Sequence, residues 1–464
     1  MANNGKSNSR RERKKNRPAK LKAQDWTLGL EVVHPKAAGI DVGNEEHYVA
    51  IPPSLDDDPV RRFDCFTEDL ESMADWLVER GITTAVMQST GVYWMALYDI
   101  LEKRKINVFL VNARDTKNLP GRKTDVLECQ WLLKLHVYGL LKNSFLPADQ
   151  ILTMRTYWRQ RQQHIADASR CTQHIQKAFT PMNVQLANVL SDVCGFTGKS
   201  IIRAILKGER DPKELAKLRD PRVKVSQEVI AKSLHGNWRE DLLFILKQEF
   251  ESHQSFEEKI KQCDARLYEH MQLMEERADP KSLGECPRSK RPRGNVPDFD
   301  LRDQLYRIAG VDLTAIDGVN VLTAQTIIAE VGYDMSRFAE EGNFVSWLNL
   351  APNNRISGGK VIGRDRRKVV NRAGQGLRQA ASTLLRSQSY LGAQFRRLRA
   401  KLGSPKAVKA MAAKLARIIY RTLKFGQVYV DRGSEAYEQS YRQGQIKFLT
   451  KKAAELGLEI VHAA

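Results

Sequence analysis

An α/β domain at the amino end, followed by an almost wholly helical remainder, is what this chain of 464 residues predicts. Between Lys36 and Pro147 short β-type runs alternate with helical ones, the pattern of a sheet covered by helices. From Ile151 onward apolar residues recur at helical or heptad spacing instead. Glu276 to Pro297 holds prolines, glycines and a basic cluster (Arg288, Lys290, Arg291, Arg293) with almost no apolar residues, which reads as a flexible linker dividing the helical part.

Taken in order, Ala37 to Val42 reads as a first strand, Asn44-Glu45-Glu46 as a polar turn, His47 to Ile51 as a second strand and Arg61 to Phe66 as a third. Three successive strands suggest an antiparallel meander. Helix Glu68 to Glu79, strand Thr84 to Ser89, helix Val92 to Lys103, strand Asn107 to Asn112 and helix Lys123 to Leu141 complete the order βββαβαβα. That order matches the ribonuclease H-like fold.

The middle of the chain differs in kind. Ile151 to Phe179 and Trp238 to Met274 read as long polar helices. In the second, Leu246, His253, Ile260, Leu267 and Met274 repeat every seven residues, with Leu242, Phe256 and Cys263 on companion positions; this is coiled-coil spacing. An antiparallel hairpin within the chain and an arm joining two chains both satisfy it. Between them, Val184 to Gly236 is a compact helical insert whose Asp192 to Ser200 segment superficially resembles a phosphate-binding P-loop. Its glycine spacing is too short and no strand precedes it, so a nucleotide site is rejected. The expected organisation is a basic arm (1–35), the α/β domain (36–147), the helical arm (148–276), the linker (277–299), a mainly helical second domain (300–430) and a tail (431–464) that is either an amphipathic extension or disordered.

Lys and Arg number 75 against 55 Asp and Glu, a formal charge of +20, which suits a polyanionic partner. The stretch through Lys22 carries nine bases and one acid without an apolar segment; a secretory signal is not expected there, and disorder until phosphate is met is. No run of about eighteen apolar residues is present. The six cysteines, scattered without CxxC pairs, read as reduced cytoplasmic thiols rather than a zinc site.

Asp41 ends the first predicted strand inside Gly39-Ile40-Asp41-Val42-Gly43, and Asp125 and Glu128 share one helix face. Acids gathered from separate elements can hold divalent ions for phosphoryl transfer. The plainer reading of Asp125 and Glu128 is a pair of acids favoured at a helix N-terminus.

Together with Gln88-Ser89-Thr90-Gly91-Val92-Tyr93-Trp94 and Gly121-Arg122-Lys123-Thr124-Asp125-Val126-Leu127-Glu128-Cys129-Gln130-Trp131-Leu132, the Asp41 block resembles the signature blocks of the DEDD transposases of the one-ten family of bacterial insertion sequences (eleven-eleven subgroup), the RNA-guided bridge recombinases. The resemblance implies a ribonuclease H-like (RuvC-like) domain binding Mg²⁺ through positions that fall on Asp41, Gln88, Asp125 and Glu128, with Arg122 and Lys123 against nucleic acid. Two positions depart from the family pattern. An amide stands at Gln88, whose carbonyl oxygen binds Mg²⁺ more weakly than a carboxylate, and glutamate replaces the last aspartate.

Arg355-Ile356-Ser357-Gly358-Gly359-Lys360 is followed by Gly363, Arg364, Arg366, Arg367 and Lys368. Cations beside a hydroxyl suit attack on phosphate, and the glycines permit close backbone approach. The plainer reading is an ordinary turn in a DNA-binding loop. The resemblance implies that Ser357 is the nucleophile that becomes covalently joined to DNA; Ser346 and Ser382 sit in no glycine hinge. It also implies active sites shared between subunits of a dimer or tetramer, and a structured noncoding guide RNA pairing with donor and target DNA.

Upstream, Ile316 to Glu330 resembles a helix-hairpin-helix, with Gly318 at the hairpin and Asn320 where the motif usually has a second glycine; the insert around Gly195 and Gly198 has a similar cadence. Arg396 to Lys424 holds ten bases and no acid. There Val408, Met411, Leu415, Ile418 and Thr422 form an apolar stripe that reads as core, with a backbone-tracking cationic face opposite. Three functions are open at this stage: a DNA transposase or recombinase with Ser357 as nucleophile, a metal-dependent nuclease of the Holliday-junction-resolving type in which Ser357 is structural, and a non-catalytic nucleic-acid-binding relic motivated by Gln88.

Overall fold

A computed structural model describes residues 30–88, 91–112, 124–285, 295–364 and 371–459. The predicted arm through Lys22, the Arg288–Arg293 cluster, Cys286, Arg122, Lys123, Arg366, Arg367 and Lys368 lie outside the described residues, as do the arrangement of Ser89 and Thr90 and the side chain of Arg364. The chain divides into two compact units, residues 1–146 and 147–464. No described helix is long and apolar enough to cross a membrane.

In the first unit, strands β1 (Ala37–Val42), β2 (Glu46–Ala50), β3 (Val60–Asp64), β4 (Thr84–Gln88) and β5 (Asn107–Val111) form one sheet in the order β3-β2-β1-β4-β5. β1, β2 and β3 are antiparallel neighbours, while β4 joins β1, and β5 joins β4, in parallel. The meander and the ribonuclease H-like order are therefore present. Helices α1 (Thr67–Glu79), α2 (Trp94–Lys103) and α3 (Asp125–Val137) start or stop one to four residues from their predicted ends.

Strand alternation divides the buried residues between two faces. Ala38, Ile40, Ala85, Met87, Val108 and Leu110 pack with Met73 and Leu77 of α1 and Leu97 and Leu101 of α2. The opposite face carries Ala37, Ala50 and Val60 against Cys129, Leu133 and Val137 of α3, and Val86 and Val111 against Leu132. Asp41 and Gln88, two and four residues beyond Gly39 and Thr84, belong by this period to the α3 side. Thr84 confirms the face, since its Oγ1 is 2.9 Å from His136 Nε2 on α3.

The second unit opens with α4 (Asp149–Phe179), which packs antiparallel on α9 (Glu240–Gln272). His174 meets Glu249 near one end and Tyr157 meets His270 near the other. These contacts join the two helices within the chain. The insert forms α5 (Leu186–Val189), α6 (Phe196–Leu206), α7 (Pro212–Lys217) and α8 (Gln227–Ser233), with a core of its own on Phe179 and Phe250. Gly195 leads into α6, and a Cβ at Gly198 would overlap the Val193 carbonyl; that glycine serves packing, not a phosphate cradle.

Inside the α4–α9 seam Arg161 forms a buried ion pair with Asp264. Burial pushes the Asp264 carboxyl above its usual range, against the pull of Arg161. Removing one partner leaves the other as an uncompensated buried charge, so Asp264→Ala is expected to cost about 3 kcal/mol. Thermal unfolding of this variant beside Arg161→Met/Asp264→Leu checks it, the double replacement recovering most of the loss.

Beyond the seam come α10 (Leu301–Ala309), α11 (Val321–Val331), α12 (Glu341–Trp347), the hairpin β6 (Asn354–Ser357) and β7 (Lys360–Arg364), α13 (Arg372–Thr383), α14 (Tyr390–Leu402), α15 (Ser404–Phe425) and α16 (Gly433–Glu455). Arg159 grips Glu330 with two hydrogen bonds of 2.8 and 2.6 Å, and Trp158 donates to Thr326, which fastens α4 to α11. Two readings change. Part of the expected flexible linker is held in place, because Arg277 N–H donates to the Arg307 carbonyl and Arg302 to that of Gly284. The tail from 433 is helical through 455 and docks on α14 through Arg397, which pairs with Glu438 and lies 3.8 Å from the Tyr441 ring centre.

Candidate functional site

The first group of candidate residues is assembled around β1. Parallel pairing sets Ile40 beside Met87, so Asp41 and Gln88 follow on adjacent strands. Helix α3 begins at Asp125 because Thr124 Oγ1 accepts from the Leu127 amide at 3.3 Å. Its first turn then presents Asp125 and Glu128. Gln88 is buried, and its side-chain amide donates to Glu128 Oε1.

Gly39 determines how near α3 can come. A Cβ there would stand 2.3 Å from both the Cys129 carbonyl oxygen and the Leu133 nitrogen; helix backbone rests directly on strand backbone. Gly39→Val is expected to destabilise the first unit by about 3 kcal/mol or more through overpacking against atoms that cannot swing aside. Loss of the first unit's unfolding transition in scanning calorimetry, or of soluble protein, is the readout.

The carboxylates repel one another. Burial, then Glu128, then Asp125 push the Asp41 carboxyl up to about 7. Among the described residues, burial and the neighbouring acids together disfavour charge on Asp41, a pattern that a hard divalent ion would relieve. Among the described residues, however, no three His, Cys, Asp or Glu side chains are already gathered into a metal cage. The Gln88 amide, instead of a further acid, bonds Glu128. Gln88→Glu would exchange that hydrogen bond for a like-charge contact. It is expected to lower the melting temperature by several degrees in chelator and to recover with Mg²⁺, as scanning calorimetry with and without the ion will show.

Tyr48 was missed by motif reading. It lies opposite Asp41 on β2, packs on the α3 side and donates to Glu46 at 3.3 Å. Burial, then Glu46, raises its phenol above the ordinary range. Period-two alternation across the antiparallel β1–β2 pair was the available signal.

Ser357 belongs to the second unit and stands at the tip of the β6–β7 hairpin, paired with Lys360. Gly358 and Gly359 form the two-residue turn with φ of 53° and 75°, the both-positive combination that suits a hairpin and that glycine adopts freely. Ser357 is exposed. Arg355 and Lys360 flank it, while Ile356 and Ile362 are 65% and 68% exposed, an apolar surface beside the cations. This is a projecting ribbon where the sequence suggested a loop.

Gly318 has φ of 88° and lies against α13, where a Cβ would meet the Ala380 carbonyl at 2.9 Å. Asn320, the departure from the hairpin motif, caps α11 by accepting from the Thr323 amide at 2.8 Å. Of the apolar stripe of α15, Met411, Leu415 and Thr422 are buried as expected, while Val408 and Ile418 are half-buried. The cationic face is thinner than its ten bases suggest. Arg396 bonds the Ser387 carbonyl, Arg397 pairs with Glu438, Arg417 and Arg421 with Glu341, and Lys424 holds the Phe338 and Ala339 carbonyls.

Residues 38–183, which contain Asp41, Gln88, Asp125 and Glu128, match a family model described as transposase, of the DEDD IS110 type. Residues 311–396, which contain Ser357, match one described as transposase of the IS116/IS110/IS902 family. No curated protein matches the chain.

Proposed function

We propose, from the premise of an insertion-sequence DNA transposase that carries both IS110-type segments in order, that this enzyme breaks and rejoins DNA strands through Ser357. Mg²⁺ is held by Asp41, Asp125 and Glu128, and a structured noncoding bridge RNA directs the choice of DNA. The observation that carries the reading is the exposed serine on a two-glycine turn between Arg355 and Lys360, in a chain whose other unit has Glu128 and Asp125 raising the Asp41 carboxyl.

The chemistry follows from those residues. Ser357 Oγ attacks phosphorus, the Oγ–P bond replaces a deoxyribose O–P bond, and the proton lost by the serine is balanced by the one the deoxyribose oxygen gains. One phosphodiester is exchanged for another, so reversal on a different end rejoins strands without hydrolysis. The two positive-φ glycines keep bulk away from the serine, and Arg355 and Lys360, with Arg364, Arg366, Arg367 and Lys368 following, neutralise phosphate as its charge builds. Gln88, as a hydrogen-bond donor, orients Glu128. The divalent ion supplies Lewis-acid stabilisation of phosphate oxygens when bound. Arg122, Lys123 and Gly318 contribute backbone contacts to nucleic acid, and subunits combine as a dimer or tetramer so that acids and serine from different copies share a site.

Purification under mild conditions, sequencing of copurifying RNA, and a recombination assay with that RNA in the presence or absence of Mg²⁺ test the proposal. A defined RNA and Mg²⁺-dependent joining are expected. Protein free of RNA that recombines DNA unaided would remove the guided mechanism.

A further inference from the structure

The basic stretch of α15 left unassigned by the hairpin chemistry borders a cavity of about 430 Å³ between α14, α15 and the connector at 426–432. Three lining residues are cations, Lys414, Arg421 and Arg432, and none is an acid. All three are exposed. Nearby acids are already engaged: Asp431 accepts from the Tyr390 and Gly433 amides at 2.9 and 3.2 Å, and Glu341 holds Arg421 from outside at 2.8 Å. That pair orients the Arg421 guanidinium and leaves Lys414 and Arg432 to meet an anion.

Apart from Thr422 and Gln427, the rest of the wall is apolar or aromatic. Ile418 and Tyr390 line it beside Val428 and Val430, and both valines are largely exposed although they belong to an ordered connector. The connector is held at both ends, by Thr422 Oγ1 on the Gln427 carbonyl at 3.0 Å and by Asp431 on the Tyr390 amide. The cavity is thus preformed, and its volume suits a single nucleotide rather than a duplex. A cationic rim around an apolar and aromatic interior is the combination that seats a base with its phosphate.

We propose that this cavity receives one unpaired nucleotide of a nucleic-acid strand, its base against Tyr390, Ile418, Val428 and Val430 and its phosphate on Lys414 and Arg432. The inference rests on the proposed function only for the presence of nucleic acid, and needs neither Ser357 nor the acids.

The test is fluorescence anisotropy of the full chain with labelled single-stranded RNA, single-stranded DNA and duplex DNA of equal length, across a salt series. Lys414→Ala/Arg432→Ala is expected to weaken single-strand binding about tenfold and to reduce the slope of log K against log salt by about 0.7, the one phosphate that the two cations hold. Duplex binding changes by less than about twofold. Val428→Ala/Val430→Ala, which leaves the charge intact, weakens single-strand binding about threefold with the slope unchanged. Both pairs are at the surface, and circular dichroism confirms that the fold is kept. Loss confined to RNA, confined to single-stranded DNA, or shared by both supports the proposal and names the strand. Unchanged single-strand binding in either double variant, or equal loss on duplex DNA, overturns it. Strand cleavage need not occur in this assay, so failure of the serine mechanism leaves its result intact.

Discussion

Replacing Ser357 with alanine is expected to abolish covalent attachment of the protein to DNA and to reduce strand breakage by about 10⁴-fold or more, the scale seen when a nucleophile is removed. The side chain is exposed at a hairpin tip, so folding stability changes by no more than about 0.5 kcal/mol and lost activity is not lost structure. Denaturing gels resolve the adduct from free protein and free nicked DNA. An enzyme of the Holliday-junction-resolving kind, using the acids to activate water, would go on cutting in this variant, and undiminished cutting would therefore sink the serine mechanism.

Asp41→Asn is expected to move activity and stability in opposite directions. The carboxylate is pushed up to about 7 by burial and by Glu128 and Asp125. An amide of the same shape removes that repulsion. In chelator at pH 8, where Asp41 would otherwise be ionised, the variant is expected to gain about 1 kcal/mol, the electrostatic gain being discounted for solvent reach, and to melt a few degrees higher. Strand cleavage is expected to fall by about 10³-fold for want of this anion, and the rise in melting temperature expected of the unmutated chain with Mg²⁺ to disappear. A variant that loses stability in chelator, or that responds to Mg²⁺ as the unmutated chain does, contradicts the proposal of Asp41 as a metal ligand.

The sheet was legible because each strand is a short β-rich run bounded by turn residues, and the order of those runs is the order of the fold. Helix α3 was legible to within a few residues; Thr124 as its cap was the overlooked boundary signal. The β6–β7 hairpin was not read as such. Arg355, Lys360 and Arg364 interrupt its apolar residues, so neither strand has enough alternation to be seen, although two adjacent glycines are a recognised hairpin turn. Gly39 and Gly318 are legible as glycines but not as packing surfaces, because what crowds them arrives from residues 129 and 133, or 380, far along the chain. The same distance hides the partners of Arg417 and Arg421 at Glu341, and charge counting therefore overstates the free basic surface. Among the acids, the sequence supplies residue types and strand ends. That Gln88 spends its amide on Glu128 is tertiary information.

The contact at Gly39 also bears on how such a chain can drift. Where helix and sheet are separated by interlocking side chains, each exchange of Leu for Ile or Val resets the gap a little, and catalytic spacing wanders with the core. Here the stop is main chain against main chain, a dimension that no side-chain exchange around it can alter. The hydrophobic residues beneath α3 are thereby free to diverge while the span from strand to helix stays fixed, and one missing methyl group acts as the gauge of the whole acid cluster.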